Sequence, residues 1–322
     1  MKLPHTTFWN AKQYKRFSTL IYNYLNEDER TNNFYENFPN YSNLELGATK
    51  KIQEYKHRKV VAGVLERQLS NLNLSEKQKE NLEKLKLHNS VTITTGHQLN
   101  LLTGPLFFFH KILQVLKCCE EISKKYPNLH FIPIFWMATE DHDFEEINHF
   151  FYKNNKITWN RESGNAVGRM TLEGLNDVFD SFFKLLPDSS NAHSLKTLIK
   201  TSYLNSNNLA EATKSIVNQL FGNKGLLMID GDDKDLKKLM IPTFEEDLLQ
   251  NTAFHKVSET NLKLEKENYT VQVNPRKINL FYFTQQNKRE RIVRENNLFK
   301  VLNSDIQFTQ KELQKALHET PE

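Results

Sequence analysis

The chain has 322 residues, with 43 Lys+Arg against 39 Asp+Glu, a net charge of +4 with the histidines neutral. That length is about two domains, or one large α/β domain carrying insertions, and 22 Phe and 11 Tyr give it core-filling bulk, which excludes a disordered chain. So slight a charge argues against nucleic acid or an anionic membrane as a partner.

The most apolar stretches, VVAGVL at 60–65, LLTGPLFFF at 101–109 and FIPIFWMA at 131–138, fall well short of the ~20 residues a membrane span needs. The opening MKLPHTTFWN has no apolar region of a secretory signal. Cys118 and Cys119 are adjacent in a predicted helix and point to different faces, so no disulfide framework is expected. These features predict a soluble, cytoplasmic protein.

The first ninety residues read as helical. Ile52, Tyr55, Val60, Val64, Leu65 and Leu69 recur near a 3.6-residue period and predict one helix over Gly47–Leu69. Ser75 with Gln78 forms a capping-box pattern opening a helix over 76–87. VTITT from Val91 predicts a short strand, followed by the loop Gly96-His97-Gln98-Leu99-Asn100-Leu101-Leu102-Thr103-Gly104. Pro105 suits a helix start, and Leu106, Phe109, Leu113 and Leu116 carry that helix to about Lys125. FIPIFWMA, apolar on both faces, reads as a buried parallel strand and ends in Thr139-Glu140-Asp141-His142-Asp143-Phe144.

Beyond it, a hairpin is predicted around Asn154-Asn155, then a helix near 175–186 and polar linkers to 205. This makes 147–205 an insertion between residues 1–146 and a second core part over 206–322. That second part holds a helix at 208–221, a strand at Leu226–Ile229, the loop Asp230-Gly231-Asp232-Asp233 and a helix across 234–250. Strands YTVQV (269–273), INLFYF (278–283) and RIVR (291–294) complete it. Strand–helix–strand alternation with apolar strands predicts a parallel, Rossmann-like sheet.

Ligands of open parallel sheets bind beyond the carboxyl ends of the strands, where three polar loops are expected to converge. The glycines and helix start of the Gly96–Gly104 loop suit a phosphate or carboxylate, or form a structural turn. His97 can contact a phosphate, donate a proton, or simply end a strand. Asp141, His142 and Asp143 can bind an ammonium, hold Mg²⁺ or supply a base. They can equally cap a helix. Asp230 and Asp232 fit a ribose, a cation or a turn. Among the carboxyl-terminal arginines, Arg276 and Arg291 suit carboxylate clamping, whereas Lys288 and Arg289 read as solvated charge.

TTGHQLNLLTGPLFFFHKI, FIPIFWMATEDHDFEEINH, VGRM and VNPRKINLFYF with RERIVRE, in this order, resemble the BshC family, the cysteine ligases of bacillithiol biosynthesis. The family loop reads TGQQ, so His97 departs from it while Gln98 matches; Gly104-Pro105, Glu140 to Phe144, and Pro275-Arg276 with Asn279 match closely. The resemblance implies an α/β fold with a Rossmann-like core similar to class I synthetases, a connecting-peptide insertion and a dimerising coiled coil. It implies L-cysteine and glucosaminyl-malate as substrates, joined with ATP, and Mg²⁺, to activate the carboxylate. Gln98, Asp141, His142 and Asp143 would be catalytic. Gly96, His97, Thr103, Gly104 and Asp230 would bind nucleotide, and Arg276, Asn279 and Arg291 substrate. Family members are longer, so this chain is expected to lack the coiled coil and to be a monomer. The rival readings are a metal-dependent hydrolase or transferase built on Asp141, His142 and Asp143, and a nucleotide-binding fragment without turnover.

Overall fold

The protein is described by a computed structural model covering residues 16–162 and 165–321; the first fifteen residues of the expected helical region lie outside the described residues. In chain order the helices are α1 (Thr19–Leu25), α2 (Tyr41–Glu54), α3 (Arg58–Leu69), α4 (Glu76–Leu85), α5 (Phe107–Lys125), α6 (Phe144–Ile147), α7 (Leu175–Leu185), α8 (Ser190–Ile199), α9 (Leu209–Phe221), α10 (Lys234–Gln250), α11 (Thr252–Lys266) and α12 (Gln310–Glu319). The strands are β1 (Ser90–His97), β2 (His130–Met137), β3 (His149–Tyr152), β4 (Asn155–Thr158), β5 (Leu227–Asp230), β6 (Phe281–Phe283), β7 (Arg289–Glu295), β8 (Leu298–Val301) and β9 (Gln307–Phe308).

The chain divides into two compact units, one of Met1–Leu46 with Phe244–Leu280 and one of Gly47–Thr243 with Phe281–Glu322. Residues 147–205 fall inside the larger unit with the parallel sheet, and 244–280 inside the smaller one. In the smaller unit, the Asn23 amide donates to the Tyr269 hydroxyl (2.8 Å). The buried carboxylate of Asp247 accepts the peptide N–H groups of Ala253 (3.1 Å) and Asn279 (2.8 Å).

The larger unit is organised by a parallel sheet of order β1-β2-β5. β2 is central and apolar on both faces, as its sequence demanded. Phe108 of α5 packs on Phe135 with ring centroids 5.2 Å apart. Helix α4 lies against all three strands and α3 against β5. The capping box forms as read: the Gln78 peptide N–H donates to Ser75 Oγ, and the Ser75 N–H donates to Gln78 Oε1. Gln78 is fully buried because its amide also donates to the Leu226 carbonyl at the start of β5 (2.8 Å).

Several elements depart from the sequence reading. The helix over Gly47–Leu69 is two helices, α2 and α3. The reason lies in the core: Ala62, Val64, Leu65 and Leu69 are buried in α3, but only Ala48 in α2. The polar linker is helix α8, because Ser189 is its N-cap, accepting the Ala192 N–H (3.2 Å), and Ala192 and Ile199 are buried. The segment 269–273 forms no strand: only Tyr269 is buried, and Thr270, Gln272 and Val273 are exposed, so its alternation buries no face. β6, β7, β8 and β9 form an antiparallel sheet of their own instead of extending the parallel core. The hairpin β3–β4 forms, turning on Lys153 and Asn154 at φ +46° and +66°, the left-handed pair that a two-residue hairpin turn requires. Cys118 and Cys119 are free, and burial pushes both thiols up.

Candidate functional site

Register fixes the site. His97 pairs with Met137, and Met137 with Asp230, so the three strands end in one row. The loops after β1, β2 and β5 therefore leave the sheet side by side, as carboxyl-edge binding requires. The strand order runs one way, however, so no reversal of order lies within this sheet.

The loop after β1 is tightly wound. Leu102, Thr103 and Gly104 all have positive φ (49°, 72° and 63°), a region that a β-branched residue enters only under constraint. The Leu102 N–H donates to the Tyr203 hydroxyl (3.0 Å), and the Thr103 hydroxyl donates to the Leu102 carbonyl. Thr103 is thus buried and turned into its own loop, not toward a ligand. A Cβ on Gly104 would sit 2.4 Å from Asn100 Cβ, so glycine is needed here for space as well as for φ. Just beyond, the peptide N–H groups of exposed Leu106 and Phe107 find no acceptor among the described residues. These are the free donors of the α5 amino end, suited to an anion. His97 is half-buried, its Nδ1 3.2 Å from the Gln98 carbonyl and its ring 5.5 Å from that of Phe108. Burial pushes its pKa down, so at neutral pH it brings no positive charge to a phosphate.

The loop after β2 is ordered by its own first aspartate. Asp141 Oδ1 accepts the N–H groups of His142 (2.7 Å) and Asp143 (3.4 Å). Its Oδ2 accepts from Gln98 Nε2 (3.1 Å), which also donates to Glu146 (2.8 Å). Burial opposes ionisation of Asp141, but these hydrogen bonds and the nearby Arg289 outweigh it and hold the carboxyl below its ordinary value. Asp143 is about half exposed, and among the described residues its carboxylate has only His142 beside it, at 3.7 Å.

Arg289, expected to be solvated, instead donates from Nη2 to His142 Nδ1 (2.6 Å) and from Nη1 to the Glu140 carbonyl (3.3 Å). It also lies 4.4 Å from the centroid of the Phe281 ring. Asp141, His142 and Asp143 each offer a ligand atom within 4.8 Å of the others. Because Arg289 holds His142 Nδ1 and is always charged, a cation at this triad would face an adjacent guanidinium. That weakens the metal-centred rival.

The loop after β5 carries a buried charge network of which the sequence showed only the carboxylates. Asp230 accepts the Thr139 hydroxyl and the Asp232 N–H (2.9 Å); burial nonetheless raises its pKa. Asp232 receives a two-pronged contact from Arg169 (2.6 and 2.8 Å) and a bond from Lys237 (3.0 Å). Lys237 also reaches Glu140 at 2.8 Å. Burial opposes ionisation of Asp232, yet Arg169 and Lys237 hold its pKa low. Gln68 of α3 brackets Asp230, donating to its carbonyl and accepting its N–H, both at 2.9 Å. Arg169 lies in the VGRM motif and could have been found there; Lys237 lies in the first turn of α10 with no local signal.

The remaining expected residues are not drawn into this network. Arg291 lies on β7, two residues past Arg289, with no side-chain partner among the described residues. Arg276 and Asn279 belong to the smaller unit, where both are exposed. Gly96 is the penultimate residue of β1, opposite Trp136.

The fold and site together define an α/β protein of Rossmann-like type with a polar centre at the carboxyl edge of its parallel sheet. More narrowly, a family profile described as "Bacillithiol biosynthesis BshC, N-terminal Rossmann-like domain" matches residues 8–322, and the chain belongs to this family. It is 44% identical over 308 residues to "Putative cysteine ligase BshC" of Flavobacterium johnsoniae, covering 95% of this chain and 58% of that protein. It is 43% identical over 304 residues to the protein of the same name in Flavobacterium psychrophilum, covering 94% and 57%. The counterpart in Christiangramia forsetii is 40% identical over 312 residues, covering 95% and 58%. The chain thus spans rather more than half the length of these relatives. Among the described residues no helix is long and apolar enough to cross a membrane.

Proposed function

We propose that the chain carries the core of a ligase that joins L-cysteine to glucosaminyl-malate by an amide bond, with ATP activating the cysteine carboxylate. The observation that supports this reading is the alignment of three polar strand ends, offering anion donors and a free carboxylate along one edge. The names of the relatives, cysteine ligases, support the ligase class and cysteine as a substrate.

A free carboxylate does not condense with an amine in water, and ATP when bound supplies the leaving group that makes it reactive. The residues fit such a ligand: the unpartnered N–H groups of Leu106 and Phe107 are phosphate donors next to a glycine with no Cβ in the way. Asp143, the less engaged carboxylate of its loop, holds the cysteine ammonium. Gln98 and Asp141 keep that loop in position, and Arg289 fixes His142 with Nε2 left toward Asp143. Arg291, on the larger unit with the other residues of the edge, supplies a clamp for a malate carboxylate. Mg²⁺ would accompany the phosphates.

Calorimetry with ATP and with L-cysteine, followed by an assay for cysteine-dependent loss of glucosaminyl-malate, tests the proposal. Binding of both ligands, with loss of the sugar only when both are present, is expected. Failure of L-cysteine to bind, or sugar loss without ATP, would overturn it.

A further inference from the structure

Trp136 is an anomaly in its strand. β2 is the central strand, and every other residue from Phe131 to Met137 is buried or nearly so, yet Trp136 is 43% exposed. By strand alternation it shares a face with Ile132 and Ile134, which are 1% and 4% exposed. The cover over that face therefore ends just before the carboxyl edge. The contrast with Trp159 is informative: that indole is 1% exposed and its N–H donates to the Glu173 carbonyl (2.9 Å). The Trp136 N–H has no acceptor among the described residues. A buried indole N–H ordinarily finds a protein partner, as that of Trp159 does, whereas that of Trp136 is left to solvent or a ligand.

The ring is also held in place by glycines. Gly96 pairs with Trp136 across the sheet, and a Cβ there would lie 3.3 Å from the Trp136 carbonyl oxygen and 3.6 Å from Cδ1. A Cβ on Gly231 would lie 2.4 Å from Cζ2 and 2.8 Å from Cη2. The indole thus extends along the strand ends from β1 toward the loop after β5, through space that any side chain at 231 would take. Lys111 brings its ammonium to 3.2 Å from the Gly96 carbonyl.

We propose that the exposed indole of Trp136 is a stacking platform for the purine ring of a nucleotide bound at this edge, an inference that rests on the nucleotide reading above. A flat, exposed π face suits the apolar face of a planar heterocycle. The Lys111 ammonium, held at the carbonyl of Trp136's cross-strand neighbour Gly96, brings positive charge to this edge and favours a base carrying phosphates over a plain hydrocarbon.

The test compares ATP with inorganic tripolyphosphate, which has the phosphates and no base, by calorimetry on the full chain. Wild type is expected to bind ATP more tightly than tripolyphosphate. Trp136→Ala should weaken ATP about tenfold while leaving tripolyphosphate unchanged within a factor of two. Trp136→Phe, which keeps a stacking face, should stay within about threefold of wild type for ATP. Equal losses for both ligands, or no loss for ATP, would overturn the platform. Wild type binding ATP and tripolyphosphate equally would remove the platform and leave the nucleotide reading standing. Binding of neither ligand would remove that reading and the platform with it.

Discussion

Asp141 and Asp143 are separated by one residue, but their surroundings assign them different work. Asp141 is engaged by two N–H donors within its own loop and by Gln98, whereas Asp143 is half exposed with only His142 beside it among the described residues. Asp143→Asn should therefore weaken L-cysteine binding about tenfold, as expected for loss of a charge-assisted contact, and leave the melting temperature unchanged. Asp141→Asn should instead lower the unfolding free energy by about 1 kcal/mol. Calorimetry and thermal melts on both variants separate the two roles. At Asp232 the sequence suggested a ribose or cation ligand; the structure fills the carboxylate with Arg169 and Lys237. Arg169→Ala leaves a buried carboxylate half-paired and should cost about 3 kcal/mol. Adding Asp232→Asn should recover part of that loss in urea titrations, since the stranded charge is then gone.

At the scale of elements, local signals were reliable where one short-range interaction decides the outcome. The capping box of α4, the hairpin turn and the apolar run of β2 were all legible because each depends on residues within four positions. Ser75→Ala should accordingly cost about 1 kcal/mol, measurable by thermal denaturation. The division of α2 from α3 was not legible, because periodicity does not say whether a neighbour exists to bury the apolar face. The same holds for 269–273, whose alternation buries no face. The loop after β1 illustrates a further limit: its glycines were visible, but its winding through Leu102 and Thr103 was not. Gly104→Val places a branched side chain at positive φ against Asn100, and about 2 kcal/mol of stability should be lost together with any change in ATP affinity. The fall in affinity is thus interpretable only beside a measured melting curve.

Across the whole molecule, buried carboxylates set the response to acid. The pKa of Asp232 is depressed in the folded chain, so its stabilisation is fully present above the ordinary carboxylate value of about 3.9. It is lost as pH falls through the lower, folded value. Asp230 runs the other way. Its folded pKa is raised, so ionising it costs stability above that value, and acid relieves the cost. Asp230→Asn keeps an oxygen to accept from Thr139 and from the Asp232 N–H, and removes the charge. It should hold or raise stability at pH 7, while Asp232→Asn should flatten the acid limb of the stability curve. Urea titrations from pH 3 to pH 8 would show both; a fall in neutral-pH stability for Asp230→Asn would contradict the assignment of burial as the cause.

The sequence by itself determined the α/β class, the strands that carry the site, the loops that leave them and the family to which the chain belongs. These follow from local patterning and from motifs whose residues are contiguous, such as Glu140 to Asp143. Only the tertiary structure decided which charges meet. Arg289 and His142 are separated by 147 positions and Arg169 and Asp232 by 63, and neither pair leaves a local trace. The tertiary structure also set the one-way strand order, because hydrogen bonding between strands depends on packing around β2 and not on the strands' own composition. Trp136 joins the two levels: its place in an apolar strand was written in the sequence, and its exposure came from where the helical cover ends.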